Sequence, residues 1–170
     1  MSETILAIDP GNIESGWTLI DTKTMQPLRF GKDDNEDLLG WLWDDSLRAD
    51  EVRIEMVASY GMAVGKTVFD TCVWVGRFWE ASTDFCEYGK PNAELVYRQP
   101  IKLHHCGSSK ARDSNIRQAL IDRFDPEASN GGKGTRANPG WFYGFKADIW
   151  AAYALAVYAA DELHGLEDLL

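Results

Sequence analysis

Residues 4–8, Thr-Ile-Leu-Ala-Ile, make a short apolar run that halts at Asp9-Pro10-Gly11. An apolar run of this length bounded by turn formers is a buried strand, and it leaves a carboxylate where the chain emerges from the core. Two further runs, 16–20 (GWTLI) and 25–30 (MQPLRF), are separated by turn-forming residues and predict a three-stranded meander. Leu38, Leu39, Trp41, Leu42, Trp43 and Leu47 then recur at helical spacing, and 52–57 (VRIEMV) returns to strand character. Beyond a long helical segment from 64 to about 86, residues 94–98 (ELVYR) read as a fifth strand, 110–124 as a basic amphipathic helix and 147–164 as an alanine-rich last helix. This order predicts an α/β fold, a mixed five-stranded sheet flanked by helices. Strand ends in such sheets are where sites gather.

The 170 residues, 45% of them hydrophobic, suit a single domain spanning 1–170 with a sizeable core. No stretch approaches the roughly 20 apolar residues of a membrane span, and MSETILAIDPG lacks the basic start, apolar centre and cleavage site of a leader. The expectation is an intracellular, cytoplasmic protein with no membrane partner. The three cysteines do not make a disulfide framework. On one helix, Cys72 and Cys86 stand about 21 Å apart. Within the 64–86 segment, Val64, Val68, Cys72, Val75 and Trp79 form one stripe, which Phe69, Val73, Trp74 and Phe78 widen beyond a single packed face. The surplus predicts that this helix meets another subunit.

Averaged over the chain, a net charge of −10 argues against a nucleic-acid binder. Its distribution argues the other way. From Arg98 to Lys146 nine basic residues stand against four acids, a surplus of +5 that leaves −15 elsewhere. Residues 33–51 alone carry eight acids and one Arg, which makes a solvated face. A polyanion gripped by the basic third leaves that acidic face pointing away.

Three carboxylates stand at element ends. Asp9 shares a strand face with Ile5 and Ala7, and its plainer role is an Asp-Pro-Gly turn. Glu55 lies inside the apolar run Val52–Val57, where a carboxylate is costly unless paired or metal-bound; Arg53, two residues away on the same side, offers a salt bridge. Asp148 falls in the first turn of the last helix in line with Ala152, Leu155 and Ala159, where it either faces the sheet or simply complements the helix dipole. Brought together, the three would repel unless divalent cations sat among them. Hard oxygen donors suit Mg²⁺ or Mn²⁺, and two such ions about 3.5–4 Å apart promote phosphodiester cleavage.

At these residues the sequence resembles the RuvC-type Holliday-junction resolvases. The resemblance is carried by Ile8-Asp9-Pro10-Gly11 with Ser15-Gly16-Trp17, by Val52-Arg53-Ile54-Glu55, by Gln99-Pro100-Ile101-Lys102 with the basic helix after it, and by Asp148-Ile149-Trp150-Ala151-Ala152. It runs from residue 4 to about 160 and rests on the order and intervals of the motifs together. It implies a ribonuclease-H-like nuclease fold, a homodimer, and Mg²⁺-dependent nicking of four-way DNA junctions, with Mn²⁺ as a substitute. Asp9, Glu55 and Asp148 would be the catalytic metal ligands. Lys102, Lys110, Arg112 and Arg117 would hold phosphates, with Tyr60 and Lys66 also facing DNA. The family's fourth ligand position, Asp or His, falls on Phe145, or on Ala151 in an alternative alignment. Its aromatic near the junction centre falls on Ala58, with Tyr60 the nearest substitute.

Other motifs carry less. Gly61-Met62-Ala63-Val64-Gly65-Lys66-Thr67 imitates a phosphate-binding loop but is one residue short. His104-His105-Cys106 are adjacent and poorly placed to share one zinc ion, and no Gly-x-Ser-x-Gly supports a hydrolase triad. Asp9-Pro10-Gly11 also fits actin-like sugar kinases, which need two such domains. Gly131–Gly134 reads as a flexible loop, and Trp141-Phe142-Tyr143 as residues that either anchor it or stack on bases. A non-catalytic branched-DNA-binding protein and a P-loop-like nucleotide enzyme are the competing classes.

Overall fold

Alternation along the first strand, β1 (Thr4–Asp9), sorts the core into two layers. Ile5 and Ala7 face one side and Leu6 and Ile8 the other, all four fully buried. The structure, a computed structural model, describes residues 3–83 and 93–167. After β1 come β2 (Glu14–Asp21), β3 (Pro27–Asp34), α1 (Asn35–Trp43), β4 (Glu51–Met56), α2 (Lys66–Thr83), β5 (Ala93–Tyr97), α3 (Arg98–Cys106), α4 (Asp113–Phe124), the single turn α5 (Ser129–Gly132) and α6 (Ala147–Glu167). The five-stranded sheet has the order β3-β2-β1-β4-β5, with β1, β2 and β3 antiparallel and β4 and β5 parallel to β1. This is the mixed five-stranded sheet, flanked by helices, that the element order predicts.

Helix α6 lies against one face with α3 and α4, burying Ile5, Ala7, Ile20, Ile101, Ile116 and Leu120. Helices α1 and α2 cover the other through Leu38, Leu42, Val75 and Phe78. Alanines let α6 approach closely, since Ala152, Ala154, Ala156, Ala159 and Ala160 are buried with almost no exposed surface. The tightest point is Gly16, paired across from Asp9. A Cβ there would stand 2.5 Å from the Asp148 carbonyl carbon and 2.7 Å from its Cβ. The missing side chain therefore sets the start of α6 directly above the end of β1.

Several expected elements differ in extent. Strand β3 continues to Asp34, because its polar half, Gly31–Asp34, pairs with β2 along an exposed edge that hydropathy alone reads as loop. Helix α4 starts three residues late: Arg112 is extended, and its N–H donates to the Asn115 side chain at 2.9 Å. Helix α3 occupies a stretch read only as a motif; Pro100 is tolerated because first-turn amides have no intrahelical acceptor, and Gly107 at φ 66° ends it.

The buried α2 face is Thr71, Val75, Phe78, Ala81 and Ser82, so of the predicted Val64–Trp79 stripe only Val75 is fully buried. Val64, Phe69, Val73 and Trp79 are exposed, whereas Trp74 packs toward the core beneath the Arg77 guanidinium. Cys86, at the far end of the predicted helix, lies outside the described residues. Trp141 and Phe142 anchor their loop: Trp141 stacks on Phe124 and donates to the Tyr153 hydroxyl at 2.9 Å, and Phe142 is fully buried. Among the described residues no helix is long and apolar enough to cross a membrane.

Gly16→Ala should destabilise the fold by about 1–3 kcal/mol, because α6 must lift off the sheet. Gly76→Ala, in mid-α2 with nothing within 4 Å of the new Cβ, should stabilise it by about 0.5–1 kcal/mol. Urea unfolding of the two variants checks both signs.

Candidate active site

Asp9 ends β1 and Glu55 is the last residue but one of its parallel neighbour β4, each one residue beyond the Ile8–Ile54 pair, and both face the α6 side. Asp148 enters the same space from the first turn of α6. The three line one cavity of about 240 Å³, together with Asp113, Arg98 and Arg117. The structure thus brings together the three carboxylates singled out from sequence. No His or Cys lines this cavity, and four carboxylates outnumber two guanidiniums. An all-oxygen donor set with surplus negative charge suits a hard divalent cation.

The electrostatics express that surplus. Asp9 has no hydrogen-bond or ion-pair partner among the described residues. Burial, and then the charge of Glu55, hold its carboxyl well above the usual range, against the opposing pull of Arg98. Burial also raises Glu55, and here Arg98 again opposes it. The Glu55 partner is not Arg53, as strand spacing suggests, but Arg98, whose Nη1 donates to both carboxylate oxygens at 3.0 and 3.2 Å. Arg53 is engaged by Glu51 at 2.8 Å and by Glu94 on β5. Asp148 holds Lys32 Nζ at 2.7 Å. No group of three or more acidic, His or Cys side chains forms a ready-made metal cluster among the described residues.

The remaining predicted residues divide. Arg117 lines the acidic cavity with its guanidinium 5.1 Å from the Trp150 ring centre. Tyr60 and Lys102 line an adjoining cavity of about 300 Å³, and a third small hollow containing Asp9, Glu55, Ala58 and Tyr60 joins them. Arg98 borders all three. Lys110 and Arg112 are exposed beside the start of α4. Lys66 lines none of these hollows and pairs with Asp70. Of the two places for a fourth ligand, Phe145 is buried among Phe30, Phe142, Trp150 and Tyr153, while Ala151 sits on the cavity wall.

Sequence reasoning missed Arg98, Asp113 and Lys32 as parts of this site. Arg98 carried a usable signal, since it directly follows the strand that neighbours β4. His104 and His105 are engaged elsewhere, with Asp161 at 2.7 Å and the Ala154 carbonyl at 2.8 Å.

The fold, a mixed five-stranded sheet of this order flanked by helices, is that of RuvC. The chain superposes on Thermus thermophilus RuvC in complex with a Holliday junction substrate with TM-score 0.63 and 11% identity, covering 96% of each chain. A second T. thermophilus RuvC structure gives TM-score 0.58 and 15% identity over 95% of this chain and 96% of that one. At these identities the likeness is one of fold. No protein-family model and no curated protein matches the sequence.

Relieving the uncompensated charge at the strand end should strengthen the fold. Asp9→Asn is expected to raise unfolding free energy in EDTA by roughly 0.5–2 kcal/mol. A loss of stability in urea titration would contradict the electrostatic account.

Proposed function

We propose that this chain is a structure-selective DNA endonuclease that cuts four-way or other branched junctions, using Mg²⁺ or, in its place, Mn²⁺. The observation that carries the reading is the convergence of Asp9, Glu55 and Asp148 on one cavity bordered by Arg98 and Arg117. A divalent cation held there supplies a nucleophile at neutral pH and balances charge on the phosphate. Asp9, with no protein cation in contact, is the first donor; Glu55 and Asp148 complete the set from the neighbouring strand and from α6. Arg117 sits at the wall where a backbone phosphate would lie. Lys102 on α3, with Lys110 and Arg112 in the link before α4, extends positive charge away from the cavity, giving affinity and register without sequence readout. Tyr60, exposed on the loop after β4, is placed to meet a base. Lys66, on the far side of that loop, is at most a peripheral contact.

A homodimer fits this chemistry, because two symmetric cuts in one junction need two sites related by a two-fold axis. The exposed apolar side chains Met62, Val64, Phe69, Val73 and Trp79 offer the surface for it. One observation favours a second reading, a non-catalytic branch binder: Glu55 and Asp148 are already neutralised by Arg98 and Lys32.

Incubating the protein with a labelled four-way junction, a flap, a linear duplex and an RNA–DNA hybrid, with and without Mg²⁺, separates these readings. Mg²⁺-dependent nicking of the branched substrates is expected. Binding without nicking would support the second reading. Asp9→Asn should abolish cleavage and leave junction binding intact or tighter. Replacing Lys110, Arg112 and Arg117 by Gln should flatten the slope of log K against log salt by roughly one unit per lost phosphate contact.

A further inference from the structure

Two of the three site carboxylates are held by cations of the protein itself, and these arrive from opposite flanks. Lys32, on the edge strand β3, puts Nζ 2.7 Å from Asp148 Oδ2 and 3.7 Å from Glu14. Arg98, the first residue of α3, grips both oxygens of Glu55 with Nη1 and reaches Asp113 with Nη2. A divalent ion in the cavity would compete with these cations for the same two carboxylates. Lys32–Asp148 is open on both sides, with side chains 39% and 36% exposed, and a pair this open adds little stability. Arg98–Glu55 is more enclosed, at 25% and 13%, yet one positive charge set against one carboxylate is a weak competitor for a divalent ion held by several.

We infer that Lys32 and Arg98 are resident counter-ions of the cation site, displaced when a divalent ion binds and thereby freed to hold the phosphates of the substrate strand. The inference rests on the reading of Asp9, Glu55 and Asp148 as cation ligands. It assigns Lys32, on a strand otherwise without a role in the site, as a positioning residue on the flank opposite α3 and α4. The strand being cut then lies between an ammonium on β3 and a guanidinium on α3. Without divalent ions, the same two groups keep the carboxylates from repelling one another and the phosphate-holding charges tied up.

Mn²⁺ titration calorimetry on the full chain without DNA tests the first half. Lys32→Gln and Arg98→Gln should each tighten Mn²⁺ binding by about three- to tenfold, since a competing charge is gone. Arg98→Lys, which keeps the charge, should stay within about twofold of the wild type. A merely structural bridge would leave affinity unchanged or weaken it, and either result in Lys32→Gln overturns the inference, even if Arg98→Gln fails to fold. Junction binding tests the second half. The two Gln variants should lose several-fold more affinity relative to wild type in Ca²⁺ than in EDTA, and an equal loss in both overturns it. Neither readout requires cleavage. Mn²⁺ binding by the wild type with no tightening in the variants would sink this inference and leave the nuclease proposal standing. No Mn²⁺ binding by any form would sink both.

Discussion

Asp9 and Glu55 stand at the ends of adjacent parallel strands on the same face of the sheet, so their charges meet in a half-buried cavity where water screens them poorly. The surroundings of that cavity answer this constraint. Arg98 turns back from the start of α3 to cover Glu55, Lys32 reaches in from the sheet edge to Asp148, and burial, with the charge of Glu55, keeps the Asp9 pKa raised.

The position of the site follows from backbone geometry. Parallel pairing of β4 with β1 puts the two carboxylates side by side, and the bare Cα of Gly16 lets α6 descend until Asp148 reaches them. Chain-wide charge is arranged around the same point. The acidic α1 face lies on the sheet side away from α3, α4 and α6, so a polyanion approaching the cavity meets the basic third first.

Much of this was legible in the residues. Period-two alternation assigns Asp9 to the side of Ile5 and Ala7, and a carboxylate inside Val52–Val57 announces a special environment. Helical spacing points Asp148 at the sheet. Local pattern does not reveal partners distant in sequence. Arg53 is two residues from Glu55 and shares its strand face, yet Arg98, 43 residues on, reaches it, because β5 pairs with β4 and delivers α3 to the site. Lys32 escaped notice because the outer half of an edge strand is polar and reads as loop. The α2 stripe misled in part for a related reason: Val64 and Trp79 read as core, yet packing leaves them exposed and buries Thr71, Val75 and Phe78.

The central claim is that the three carboxylates form one divalent-cation site built on strand ends and α6. Crystals grown with Mn²⁺ and measured at its absorption edge test it most directly. The account predicts an anomalous peak in the cavity lined by Asp9, Glu55 and Asp148, with Lys32 and Arg98 swung out of their ion pairs. An empty cavity at millimolar Mn²⁺, with both ion pairs intact, would contradict it.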